Sequence, residues 1–439
     1  MEMNQQSVNS VPNELSVAIL VLNWNGRSLL QTCLPLLLNQ TYKNYEVVVV
    51  DNGSTDGSNT LVQEQFPKVR LIQNKENIGF SRALNVGARQ VEADVIVLLN
   101  NDVFAQPDWL AELIRPFTES PEIGIVGSKL LFPDGTIQHL GAELTYPLGL
   151  SHHLYAKEDA AAIPPLPDVK DMAYVTGAAF AIHKSVREKI GLLDEMFHPI
   201  YYEEVDYCYR ARAAGFRVVV ATKSVAIHNE STSMNQLPDF KIKMLQRNRY
   251  RFILKHYSVT QFLADFVPAE TEYLQQQPVV GEKEAIRLAC LEMAILAPTI
   301  LPPTTTPAEV TAVQNALLQL RQTAVMATAR RANTPPALEE FTFPRTGSVV
   351  QALIGRFRSA WSSVAAKWLT RNLLQQQHLQ NIYLQQQLDH LSLEAKSQAA
   401  EIEQLLSMLL PMQQEPPQRQ SELAHSKTHT ADAAAKPPV

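Results

Sequence analysis

Short runs of consecutive apolar residues alternate with stretches of helical period over the first hundred residues. "SVAILVL" (16–22), "YEVVVVD" (45–51), "VRLIQN" (69–74) and "DVIVLLN" (94–100) are too short for helices and rich in Val and Ile. They read as strands buried on both faces. Between them, "RSLLQTCLPLLLNQ" (27–40), "SNTLVQEQF" (58–66) and "SRALNVGARQV" (81–91) place apolar residues three and four apart. They read as helices, the first with Pro35 as a kink or a start. Strand and helix in alternation predict an α/β domain with a mostly parallel sheet, helices on both faces and ligands beyond the carboxyl ends of the strands. The second and fourth strand runs end in polar clusters, Asp51 opening "DNGSTDGS" and Asp102 closing "LLNND". One such ending is a turn; two on the same rim make a candidate site.

The pattern changes after Ser258. Residues 259–365 are rich in Ala, Leu and Gln, with Pro/Thr breaks at "APTILPPTTTPAE", and read as short helices with linkers. Residues 366–411 read as one long helical stretch. Leu384, Leu388, Leu391, Ala395, Ile402, Leu405 and Leu409 fall at alternating steps of four and three, with Asn381 at a seam position. That spacing predicts a coiled coil joining two copies of the chain, the alternative being a helix folded back on residues 259–365. Residues 1–14 and 412–439 read as disordered tails. The organisation expected is therefore a tail, a domain over 15–258, a helical region, a coiled coil and a second tail.

Composition narrows the function. The chain has 439 residues, 46% of them apolar, and a net charge of −6, which argues against a nucleic-acid partner. Cys33, Cys208 and Cys290 are far apart and lack metal-ligand spacing, so they read as reduced thiols of a cytoplasmic protein. The N-terminus has no basic-then-apolar pattern of a signal peptide, and no run of 18 apolar residues occurs. The basic stretch "KIKMLQRNRYRFILKHY" (241–257) reads as a solvated helix face or as a peripheral contact with anionic lipid at the inner face of the membrane.

Several residues have the chemistry of a site. Trp24, in "LNWNG", is either a strand-end core residue or a flat wall for a base or sugar. Asp51 can accept hydrogen bonds from a base or ribose, although the glycine fingerprint of a nicotinamide fold is absent. Asp102 is the only acid in "LLNND"; it is a turn residue or one ligand of a hard cation, with Asn100 and Asn101 able to add only neutral oxygens. "YYEEVDYCYRARAAGF" (201–216) opens acidic and closes basic before Gly215, as a helix does, and an Asp206–Arg210 pair suits its spacing. That leaves two adjacent glutamates behind two tyrosines, a setting for a general base. His228, in "HNESTS", is a surface histidine or a second metal ligand.

In order, "VLNWNG", "VVDNGSTDGS", "NKENIGFSRALNVGAR", "LLNND", "VTGAAFAIHK", "GLLDEMF", "YYEEVDYCYRARAAGFRV" and "HNESTS" resemble a family 2 glycosyltransferase, most of all its rhamnosyltransferase-like branch. The resemblance covers residues 15–257. It implies the GT-A fold, a nucleotide-sugar donor, Mg²⁺ or Mn²⁺, and inverting transfer to a glycan or lipid-linked acceptor in cell-surface polysaccharide synthesis, with rhamnose the sugar the branch suggests. Matched position by position, Asn23, Trp24, Asn25, Asp51, Asn77, Gly79, Arg82, Asn100 and Asn101 line the nucleotide-sugar site. Asp102 and His228 meet the metal or diphosphate. Glu204 is the base with Asp206 beside it, and Gly177, Tyr202 and Glu203 face the acceptor. The chain departs from the pattern at Asn100-Asn101-Asp102, where many members carry two acids. A weak or inactive transferase-like scaffold that dimerises through the coiled coil is therefore the alternative.

Overall fold

The computed structural model describes residues 14–229, 238–276 and 280–332. The stretch read as a coiled coil, the C-terminal tail and residues 1–13 of the N-terminal tail lie outside them. The described residues up to Ala329 form one compact unit.

The chain runs β1 (Val17–Asn23), α1 (Arg27–Leu38), β2 (Tyr45–Asn52), α2 (Ser58–Gln65), β3 (Arg70–Asn74), α3 (Phe80–Ala88), β4 (Val95–Asn100), β5 (Val103–Ala105), α4 (Trp109–Glu119) and β6 (Ile123–Leu131). Four short strands follow: β7 (Ile137–His139), β8 (Ala142–Thr145), β9 (Leu150–His153) and β10 (Val169–Asp171). Then come β11 (Ala179–His183), α5 (Lys184–Ile190), α6 (Glu203–Ala213), β12 (Arg217–His228) and α7 (Pro238–His256). A π turn, Phe262–Phe266, leads into α8 (Val267–Gln276), then α9 (Val280–Ile300) and α10 (Pro307–Ala332). α1 continues through Pro35.

The main sheet has the order β10-β12-β6-β11-β4-β1-β2-β3. β1 pairs in parallel with β2 and β4, β2 with β3, and β12 with β6. β11 runs antiparallel between β4 and β6, so β6 and β12 point the same way as the first four strands. The period of two that a strand imposes sorts the side chains onto two cores. Val17, Ile19 and Val21, with Val95, Val97 and Leu99, pack against α1, α2 and α4. Ala18, Leu20, Ile96 and Leu98 pack on the other side, where α3 and α6 lie.

That second core does not stop at Ser258. Tyr250, Phe252 and Leu254 of α7, Phe262, Leu274 of α8, Met293 of α9 and Leu317 of α10 belong to the same cluster. The composition changes at 258, but the packing is continuous. The basic stretch over 241–257 is neither a solvated face nor a lipid-facing one over most of its length. Arg249 is 1% exposed and paired with the fully buried Glu270 of α8 at 2.6 Å. Arg247 and Arg251 reach Glu292 of α9 at 2.8 and 3.2 Å. Lys255 bonds Asp194 and Asp206 at 2.5 and 2.6 Å. No local pattern reveals these pairs, because the acidic partners lie 21 to 61 positions away. Among the described residues no helix is long and apolar enough to cross a membrane.

Removing one partner of a buried pair leaves an uncompensated charge, which costs about 3–5 kcal/mol, whereas replacing both by apolar groups is often near neutral. Glu270→Ala should therefore lower unfolding free energy in urea by about that amount. Arg249→Met combined with Glu270→Leu should lose much less.

Candidate active site

The polar residues that end β1 and β2 are buried, those at the end of β4 half-buried, and they bond one another. Asn23 Nδ2 donates to Asp51 Oδ1 at 2.9 Å and Ser54 Oγ at 3.1 Å, and Asn23 Oδ1 accepts from Asn101 Nδ2 at 2.8 Å. The second Asp51 oxygen accepts the Ser54 N–H at 3.0 Å. Asp51 is fully enclosed, so it holds the rim's shape rather than presenting an open carboxylate. Asn25, at φ 50°, takes the Thr55 N–H on its side-chain oxygen at 2.8 Å. Trp24 is 54% exposed, which removes the core alternative and leaves a flat apolar face at the rim.

The loop before α3 hangs on Asn52, which in sequence looks like no more than part of a turn. Its amide donates to Asn77 Oδ1 at 2.9 Å and Gly79 O at 3.2 Å, and its oxygen accepts the Ile78 N–H at 3.1 Å. Gly79 has φ +85°, and a side chain there would strike the His198 ring. Arg82 leans to Glu195 at 3.6 Å and is half exposed. Asn100 closes β4, its N–H on Ala178 O at 2.9 Å.

Asp102 sits in the turn between β4 and β5, facing the end of β12. Its Oδ1 lies 3.1 Å from His228 Nε2, and His228 Nδ1 lies 2.5 Å from Gln138 Oε1. His228 is buried, not a surface residue. With Nδ1–H donating to Gln138, Nε2 turns either a proton or a lone pair towards the carboxylate. A cation held by both groups satisfies the second arrangement. The donor set, one carboxylate and one imidazole, suits a divalent ion whose other ligands come from a diphosphate. Among the described residues no cluster of three or more His, Cys, Asp or Glu is arranged to hold an ion alone. Gln138 carries no sequence signal; only the fold brings β7 to β12.

Across from this pair, α6 begins. Tyr201 and Tyr202 precede it with φ 78° and 71°, two consecutive non-glycine residues in the left-handed region, an uncommon conformation found where surrounding structure over-determines it. The Tyr202 hydroxyl donates to Gly149 O at 2.9 Å. Glu204 and His228 line one cleft of about 490 Å³, together with His139, His153, Tyr174 and Tyr201. His139 Nε2 accepts the Thr176 N–H at 3.1 Å, so its Nδ1 carries the proton and donates to His153 Nδ1 at 3.0 Å. Burial, with His153 and His228 nearby, holds His139 well below the ordinary histidine range, hence neutral. Neither histidine was singled out from sequence.

Burial pushes the Glu204 carboxyl up to about 7, with backbone hydrogen bonds from Glu204, Val205 and Gly177 restraining the rise. Its Oε2 has no hydrogen-bond partner among the described residues. Burial and the Glu204 charge raise the Glu203 carboxyl well above the usual range. A Cβ built on Gly177 would lie 3.7 Å from Glu204 Cβ and 3.5 Å from Phe80 Cζ, so this backbone separates the glutamate from the α3 loop. Asp206 stands apart. It lies on the other face of α6, bonded to Arg210 at 2.8 Å, Lys255 at 2.6 Å and His256 at 2.7 Å. Burial alone would raise its carboxyl, but the His256 hydrogen bond and the charges of Arg210 and Lys255 outweigh it and bring it to about 2. That saturation suits the structural pairing and leaves Glu204 as the candidate base.

The Glu204 shift has a signed consequence. Between its ordinary value of 4.5 and about 7 the folded state keeps a proton that the unfolded state has lost. The resulting stability is complete below 4.5 and is lost as pH rises through about 7. Glu204→Gln carries no such titration. Its melting temperature relative to the parent should rise between pH 5 and pH 8; a pH-independent difference would place Glu204 in solvent.

Residues 16–162 match the family model described as glycosyl transferase family 2. The chain is 30% identical over 226 residues to the protein y4gI of Sinorhizobium fredii, covering 49% of this chain and 25% of that one. It is 32% identical over 224 residues to the O-antigen biosynthesis protein RfbC of Myxococcus xanthus, covering 49% and 17%. It is 22% identical over 243 residues to the N-acetylglucosaminyl-diphospho-decaprenol L-rhamnosyltransferase of Mycobacterium tuberculosis, covering 50% and 77%. The chain thus spans a quarter or less of the length of the first two relatives. With the mostly parallel α/β sheet, these matches identify residues 16–162 as a glycosyl transferase family 2 domain.

Proposed function

We propose that the chain transfers a sugar from a nucleotide-diphosphate donor to a hydroxyl of a glycan or lipid-linked acceptor, with inversion, in the synthesis of a cell-surface polysaccharide. The observation that carries this reading is Glu204, a half-buried glutamate with an enclosed Oε2, lining one cleft with His228, which in turn contacts Asp102. A sugar hydroxyl does not ionise near neutrality, so attack needs a base poised near the working pH. Glu204, at about 7, has that property. The acceptor proton passes to its carboxylate as the acceptor oxygen bonds the anomeric carbon, and the anomeric carbon–oxygen bond to the diphosphate breaks with its electron pair on the diphosphate. Asp102 and His228 are the residues that would hold a divalent ion, which supplies charge neutralisation for the departing diphosphate. Trp24 offers a face for the base, while Asn23, Asn25, Asp51, Asn100 and Asn101 shape the wall beside it, and Asn77, Gly79 and Arg82 the loop opposite. The names of the Myxococcus and Mycobacterium relatives support a glycan or diphospho-lipid-linked acceptor and favour rhamnose among donors.

The test is transfer by the full chain from a panel of nucleotide-sugars, in Mn²⁺ and in EDTA. Glu204→Gln should keep donor binding and lower the transfer rate about 10²–10⁴-fold. Asp102→Ala should weaken donor binding in Mn²⁺ far more than in EDTA. Absence of transfer from every donor would leave the scaffold reading, and parental transfer by Glu204→Gln would move the base elsewhere.

A further inference from the structure

The turn that aims Glu204 is held from behind by one side chain on α7. Asn248 is fully buried. Its Nδ2 donates to Phe197 O at 2.8 Å, to Ile200 O at 2.9 Å and to Tyr201 O at 2.9 Å. Two N–H bonds thus serve three carbonyls, two of which belong to the residues leading directly into α6. Neighbours on the same helix hold the rest of the loop. Arg247 donates to His198 O at 2.6 Å, Arg251 to Met196 O, and Lys255 to Asp194 at 2.5 Å. α7 is itself pinned by Glu292 of α9 through Arg247 and Arg251.

We propose that Asn248 is a positioning residue for the transfer reaction, fixing the left-handed Tyr201–Tyr202 turn and, through it, the depth at which Glu204 sits in the cleft. The proposal rests on Glu204 being the base. The left-handed conformation at two adjacent tyrosines persists only where the surroundings over-determine it. The Asn248 amide supplies that constraint, turning the Ile200 and Tyr201 carbonyls towards α7. The side chain has to be short, uncharged and able to donate two hydrogen bonds. Asp accepts only, and Ser donates one bond. Asn248 lies outside the stretch matched by the family model and touches no residue assigned to donor or metal.

A stability cycle separates positioning from general support. The groups that feel the Glu204 charge are Glu203 beside it, Tyr202, Cys208 and Tyr174, with the histidines 139, 153 and 228 lining the same cleft. None of them bonds Asn248. Melting temperatures at pH 6 and pH 8 are read for the parent, Glu204→Gln, Asn248→Ala and the double variant. Met293→Ala, a cavity in the α9 core, with and without Glu204→Gln, is the control for lost stability alone. In the parent, Glu204→Gln should gain melting temperature between the two pH values. That gain should fall to about half or less in the Asn248→Ala background and survive in Met293→Ala, because coupled sites are non-additive and distant ones add. An undiminished gain in Asn248→Ala overturns the proposal. If Asn248→Ala does not fold, Asn248→Ser, which keeps one donor, is read in its place with the same criterion. With a transfer assay in hand, Asn248→Ala should lower kcat about 10-fold or more and leave donor KM within about 3-fold, a misplaced group costing turnover rather than binding. A parent without transfer sinks the reading of Glu204 as base, while the cycle still decides whether Asn248 sets its environment.

Discussion

The Asn23 amide is the knot at which the parallel strands end. Strands of Val, Ile and Leu can be buried on both faces only until polar residues begin, and those residues then need partners at once. Asn23 meets the need on both sides, towards Asp51 and Ser54 with its nitrogen and towards Asn101 with its oxygen. β1 is thereby tied to the turn after β2 and the turn after β4. The distance between the Trp24 wall and the Asp102–His228 pair follows from that tie.

A second set of constraints comes from the other direction. Gly177, Phe80 and Glu204 lie side by side, and the Phe80 N–H bonds Pro199 O at 2.8 Å. The loop before α3 and the loop before α6 therefore support each other. Donor-side and acceptor-side candidates form one continuous ring along the rim, from Asn23 through Asn101 and Asp102 to His228, across the cleft to Glu204, and back by Gly79 and Asn52. Asp206 is outside the ring, although it is only two residues from Glu204, because a helix turns about 200° in two steps.

Much of this was legible in the sequence. The alternation of strand and helix over residues 16–100, the rim position of Asp51 and Asp102, and the Asp206–Arg210 pair all follow from local period and spacing. What was not legible depends on partners far along the chain. Asn248 reads as one polar residue in a basic run, and its three carbonyls lie about 50 positions earlier. Gln138, His139 and His153 sit on strands of three or four residues whose period is too short to detect. Burial of Arg249 could not be inferred without knowing that α8 brings Glu270 beneath it.

β11 is the one strand between β4 and β6 that runs against its neighbours, and its direction has a consequence for how such a protein can change. β6 leaves the sheet at the rim, and β11 comes back into it at the same rim, with Ala178 O against the Asn100 N–H. Residues 132–178 are thus a detour that begins and ends at one edge and is strand-paired with the main sheet through β7 and β10. Closing a longer or shorter detour costs little, since loop entropy grows only with the logarithm of length. This detour supplies the wall of the cleft that carries Gln138, His139, His153 and Tyr174. The length of that wall can change while the rim at the ends of β1, β2 and β4 keeps its register.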